Sequence, residues 1–139
     1  MNAQQIIEYC LKKPCAYLDY PYKGDPACVR IRAGEKRPVF VQLWDSPSER
    51  NVTVRTTPTM ADFYRSAYPK TIRRGYYCPP IMQPYWNTIA VDENWHSEVP
   101  EEELIEMLDF AYEAALERLP KYLQKQVRET KKLSEEENV

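Results

Sequence analysis

Arg30 and Arg32 stand two residues apart in an alternating run, and Arg55 closes a second run of the same kind. Arginines at a spacing of two share one face of a strand. Lys23, Lys36 and Arg37 extend the charge. Such a face can neutralise phosphates, because Lys and Arg contacts to the backbone dominate nucleic-acid affinity. The competing reading is an ordinary solvated strand face that resists edge-to-edge aggregation. A second basic group, Arg65, Lys70, Arg73 and Arg74, is interleaved with Tyr64, Tyr68, Tyr76 and Tyr77. Charge beside aromatic rings suits a single strand, whose phosphates and base faces can both be held. Equally, tyrosines bury their rings and satisfy their hydroxyls at the rim of a sheet. Arg73 and Arg74 are adjacent, so on an extended chain they point to opposite faces and only one meets a given ligand.

Catalytic and metal chemistry find less support. His96 has Asp92 and Cys78 nearby in sequence, formally a Cys–His–Asp set, but no nucleophile motif surrounds Cys78. Glu101, Glu102 and Glu103 follow Pro100, where acids serve the positive end of a helix dipole without a metal. The cysteines, at 10, 15, 28 and 78, have no CxxC spacing, and His96 is the only histidine. They read as reduced, mostly buried small hydrophobes rather than zinc ligands or disulfides. Three glycines, at 24, 34 and 75, are too scattered for a dinucleotide or phosphate loop. The expectation is therefore a non-enzymatic protein without cofactor or metal.

The elements that must position these residues are legible in outline. Residues 2–12 read as a helix capped by Asn2, with Ile6, Ile7, Cys10 and Leu11 on one face. Pro14 ends it, and AYLDYPYKGDPA reads as a loop. Val29 and Ile31 alternate with Arg30 and Arg32 in a strand. A second strand follows at Pro38–Trp44 and a third around Val52–Arg55. The short links between them demand an antiparallel meander. Thr59 is a candidate cap for a short helix, Met60–Ala67. Further strands are expected around Tyr76 and at Trp86–Val91, with Trp86 mainly in the core and Asn87 and Thr88 bonding at the strand start. Pro100 then opens a long helix with Leu104, Leu108, Ala111, Ala115 and Leu119 as its apolar stripe. Residues 1–121 are expected to form one domain, and 122–139 a frayed helix or disordered acidic tail.

Taken in order, IIEYCLKKPCAYLDYPY, DFYRSAYPKTIRRGYY, YWNTIAVD and EELIEMLDFAYEAALERLPK resemble the MmcQ/YjbR family of bacterial proteins, over roughly residues 4 to 121. The resemblance implies an α+β fold like that of CyaY, with an antiparallel sheet packed by an N-terminal and a long C-terminal helix. It also implies a double-wing DNA-binding module. Where that family usually carries lysine or histidine before Trp-Asn-Thr, this chain has Gln83, Pro84 and Tyr85. In the last helix Phe110-Ala111 replaces the usual polar pair, a change toward packing.

The first functional expectation is a binding module for DNA or another nucleic acid, with Arg30, Arg32, Arg55, Arg73, Arg74, Tyr76, Tyr85 and Asn87 as the candidate residues. A protein–protein or regulatory domain using the tyrosines and acidic tail is the alternative, and a small-ligand pocket between sheet and helices a third. Charge alone does not decide. Residues 1–98 hold 13 Lys+Arg against 10 Asp+Glu, and residues 99–139 hold 6 against 11, giving net charges of +3 and −5. No apolar run reaches the length of a membrane span, and the N-terminus lacks the pattern of a signal peptide, so the expected location is the cytoplasm, without membrane partners.

Overall fold

The period-two runs pair with one another as neighbours. The computed structural model describes residues 1–137, with side chains to residue 130. Helix α1 is Ala3–Leu11, and β1 to β4 are Ala16–Asp19, Ala27–Ile31, Val39–Ser46 and Glu49–Arg55. Helix α2 is Pro58–Ala67, β5 and β6 are Ile72–Arg74 and Trp86–Ala90, and α3 and α4 are Glu101–Glu117 and Lys121–Glu137. The six strands form one antiparallel sheet in the order β1-β2-β3-β4-β6-β5. The fold is α+β, with the sheet packed by α1 and the long α3.

Local chemistry explains the boundaries. Asn2 accepts the Gln5 N–H at 2.9 Å, and the Gln5 side chain accepts the Asn2 N–H at 2.9 Å. This reciprocal cap satisfies two of the free donors at the start of α1 and is worth about 1 kcal/mol. Ile6, Ile7 and Cys10 then fall on one buried face. Helix α2 is capped by Thr57 with Pro58 in its first turn, two residues earlier than the Thr59 expectation. Proline is preorganised for that first position, so the cap precedes it. The segment read wholly as loop contains β1, which pairs with β2 from Ala16–Ile31 to Asp19–Cys28. The strand expected around Tyr76 is β5, which ends at Arg74, so Tyr76 lies in the following loop.

The core lies between the sheet and the helices. Val29, Ile31, Val41, Leu43, Val52, Val54, Ile72 and Ile89 face Leu108, Ala111, Ala115 and Leu116 of α3. An irregularity in register, with Val29 opposite Val41 and Arg30 opposite Val39, places an extra residue in β3, and both Phe40 and Val41 are buried. Phe40 meets Tyr112 of α3 edge-on at 5.4 Å, and the Tyr112 hydroxyl donates to the Pro14 carbonyl at 2.7 Å. Asp109 of α3 receives Tyr9 and Lys13, each at 2.6 Å, tying α1 to α3. Leu123 and Val127 anchor α4 in the same core, where a methyl on Gly34 would lie 3.0 Å from Leu123. Gly34 also needs its φ of +58° for the turn between β2 and β3. The far end of the expected acidic tail, at residues 138–139, lies outside the described residues. No described helix is long and apolar enough to cross a membrane.

Candidate functional site

Period two sends Arg55, Thr53, Trp86, Thr88 and Arg73 to the sheet face away from α3. Arg30 and Gln42 point the same way from β2 and β3. A loop, residues 75–85, crosses this face and ends in a short 3-10 turn, Gln83–Tyr85. Its ends are bonded to the sheet: Gly75 N–H donates to Trp86 O at 3.0 Å, and Thr56 N–H donates to Tyr85 O at 2.8 Å. Tyr77 stacks on Trp44 at 4.5 Å and 23°. Asn51, Thr53 and Thr88 are fully buried, with the Thr53 hydroxyl 2.9 Å from both Asn51 Oδ1 and Thr88 Oγ1. Burial pushes Glu49 upward, yet hydrogen bonds from Asn51, Tyr77 and Arg73 outweigh it and hold the carboxyl below its usual range. The loop thus covers a hydrogen-bonded polar layer of Glu49, Asn51, Thr53 and Thr88 rather than a second apolar core.

Gly75 sets how closely the loop can approach. A Cβ there would lie 2.7 Å from Trp86 Cβ, an atom fixed to strand β6. Gly75→Ala is therefore expected to cost about 1–3 kcal/mol in urea denaturation, through forced displacement of the loop. An unchanged midpoint would show that the loop start is not held against Trp86.

The candidate residues separate into different environments. Arg30 donates to Asp19 at 2.9 Å and to the Arg37 carbonyl at 2.9 Å, so its charge is already matched. Arg73 is paired with Glu49 at 3.3 Å. Arg74, opposite Asn87, points to the other face from Arg73, as adjacency requires. Tyr76 is exposed in the loop. Asn87 is buried, accepts from Arg65 at 2.8 Å and donates to the Ala61 carbonyl at 3.2 Å. It therefore tethers α2 to the sheet and presents nothing to a ligand. Arg32 lies over the Tyr17 ring at 4.6 Å.

Arg55 and Tyr85 do come together, joined by Trp86, which the sequence assigned mainly to the core, and by Arg118, which sequence reasoning did not single out. The Arg55 guanidinium lies 5.3 Å from the Tyr85 ring centre and 5.6 Å from that of Trp86. Arg118, at the C-terminal end of α3, lies 5.2 Å from the Tyr85 ring centre. Arg55 is only 6% exposed, and its Nε and Nη2 are buried without a hydrogen-bond partner among the described residues. Among the described residues no carboxylate pairs with it. Burial, and then the Arg118 charge, push its pKa down. Burial raises the nearby Cys78 thiol, with Arg55 working against that rise. Native proteins leave few buried donors unpaired, and a buried unpaired charge costs several kcal/mol. The rings of Tyr85 and Trp86 return about 0.5–2 kcal/mol of that. No local motif marks Arg118; it reaches Tyr85 only because α3 ends beside β4.

The formal Cys78–His96–Asp92 set is not assembled around one point. Cys78 sits by Arg55 on the loop-covered face, whereas His96 lines a cavity with Ile6, Val52 and Leu104 on the helix side. Asp92 accepts the backbone N–H groups of Asn94 and His96, at 2.8 and 2.9 Å, which holds its carboxyl below its usual range. The cavity, about 190 Å³, lies between sheet and helices where the small-ligand reading expected one. It is smaller than the several hundred Å³ of most small-molecule sites.

A protein-family model described as YjbR matches residues 11–114 of the chain. Among solved structures, Deinococcus radiodurans protein DR2400, with a domain named DUF419, superposes with a TM-score of 0.77. It is 18% identical, over 91% of this chain and 87% of that one. A Pseudomonas syringae protein superposes with a TM-score of 0.64 at 20% identity, over 83% of this chain and 99% of that one. At these identities the likeness is one of fold. No curated protein matches the sequence.

Proposed function

The chain belongs to the YjbR family, and on that premise we propose that it is a non-catalytic binding module that takes a nucleic-acid strand, DNA in the first instance, at one end of its sheet. One observation carries this reading. Arg32, Arg37, Arg55, Arg118 and, on the edge strand β5, Arg74 have no carboxylate partner among the described residues, whereas Arg30, Arg50, Arg65, Arg73 and Arg128 all have one. The register supports a common location for the first four. Arg30 is opposite Val39 and Val54 opposite Val41, so Arg32, the β2–β3 turn and Arg55 belong to the same end of the sheet. The contact between Gly34 and Leu123 brings the start of α4, and Arg118 just before it, to that end. Three of these cations already lie over tyrosine rings, the pairing of charge and aromatic faces that single strands use.

Four cations set a modest electrostatic scale. For single-stranded DNA the slope of log K against log salt is expected to be about −3, from roughly 0.7 per neutralised phosphate. Arg32→Met and Arg118→Met should each make it shallower by about 0.7. Fluorescence anisotropy with a short oligonucleotide across a salt series measures both. A flat line, or a slope unaffected by either substitution, would sink the nucleic-acid reading.

A protein partner is the second reading, favoured by the exposure of Tyr22 and Ile81 at the tips of two loops. Binding to a purified partner that is lost in Ile81→Ser, without dependence on salt, would support it instead. Four free cysteines support a reducing compartment, and we place the protein in the cytoplasm.

A further inference from the structure

We infer that Arg55, Tyr85 and Arg118 form a built site for a single oxyanion, a phosphate or carboxylate group that presents two oxygens to one edge of the Arg55 guanidinium. Two donors of Arg55, Nε and Nη2, are buried and have no hydrogen-bond partner among the described residues. Their N–H bonds lie side by side on one edge of the planar group, the fork that grips two oxygens of one oxyanion. The surroundings agree in charge. Arg118 is the neighbouring charged group that Arg55 feels most strongly, and it is also a cation. No carboxylate among the described residues is paired with either. The Tyr85 ring centre is about equally far from the two guanidinium groups, and its π-electrons offset part of the repulsion between them. An oxyanion supplies what both lack: it fills the fork of Arg55 and offsets the repulsion from Arg118. Arg118 is exposed and Arg55 is not, so the ligand enters from the Arg118 side.

The inference stands apart from the strand-binding reading, because it needs one anion and not a polymer. Inorganic phosphate and acetate are titrated into the full chain at constant ionic strength, following the Arg55 Nε–H resonance and the unfolding temperature. The expected result is a saturable shift of that resonance and a rise in unfolding temperature with at least one of the two anions. Arg55→Met should abolish the temperature rise while remaining folded. Arg55→Lys, which keeps the charge but loses the fork, should bind about tenfold more weakly or worse. Arg118→Met should weaken binding while keeping the Nε–H shift at saturation. A resonance that moves with neither anion, or a temperature rise equally present in Arg55→Met, overturns the site. A second arm compares a short DNA with and without a 5′-phosphate, at fixed salt. Tighter binding of the phosphorylated strand, lost in Arg55→Met, assigns the oxyanion to a strand end. Equal binding of the two strands alongside saturable phosphate binding assigns it to a free small anion. A flat salt series with saturable phosphate binding would remove the polymer and leave this site standing.

Discussion

Arg55→Met is expected to make the protein more stable, by about 1–3 kcal/mol, even though it removes a side chain that is almost wholly buried. The physical account is a balance of three terms. Burial of an unpaired guanidinium costs several kcal/mol, and replacing buried charge by a hydrophobe of similar size is often stabilising by about 1–4 kcal/mol. Two donors, Nε and Nη2, recover nothing from hydrogen bonds to the described residues. The rings of Tyr85 and Trp86 return part of the cost, about 0.5–2 kcal/mol, and a methionine keeps some of that contact through its sulfur. Urea denaturation should show a higher midpoint with an unchanged slope. A lower midpoint would mean that Arg55 is compensated within the fold and holds no free donor capacity. A stabilising loss of a residue is a sign of function, since sites retain groups that the fold alone would discard.

Phe40→Ala is expected to act in the opposite direction and more strongly, lowering stability by about 3–5 kcal/mol. Phe40 is completely buried and meets the edge of Tyr112. Its position depends on the extra residue in β3, which lets Phe40 join the same core as Val41. The alanine would leave a cavity between sheet and α3, and Tyr112 is held by Pro14 and cannot readily collapse into it. The control is Phe63→Ala on α2, where the ring is 61% exposed and the change should stay within about 0.5 kcal/mol. Similar losses at the two positions would contradict the placement of Phe40.

The sequence carried the sheet better than it carried the site. Strands β2, β3 and β4 were legible because one face is apolar and the other is not, and α1 and α3 because their stripes recur at helical spacing. Strand β1 was hidden among Pro14, Pro21 and Pro26, and all four of its residues are half-buried, so no alternation marks it. The cap at Thr57 was legible in principle, since Pro58 fits only the first turn. At the site, the spacing of Arg30 and Arg32 correctly predicted a shared face but not the carboxylate that occupies Arg30. Asp19 comes from the unread strand, so its pairing with Arg30 was unreadable too. The isolation of Arg55 depends on which groups do not approach it, and spacing along a chain holds no information about that. The opposite orientations of Arg73 and Arg74 followed from adjacency alone.

The strand order has a consequence for how the chain is made. Strand β6 lies between β4 and β5, although β5 is synthesised first. Thirty residues, 56–85, separate the end of β4 from the start of β6. At ribosomal rates of about 5–20 residues per second, the outer edge of β4 waits roughly 1.5–6 s for its partner. During that interval β5 cannot shield it, because β5 pairs only with β6. The nascent chain therefore presents a seven-residue open edge carrying Val52 and Val54. A chain interrupted before Trp86 keeps that edge for good, and such fragments should be the species that chaperones and proteases meet.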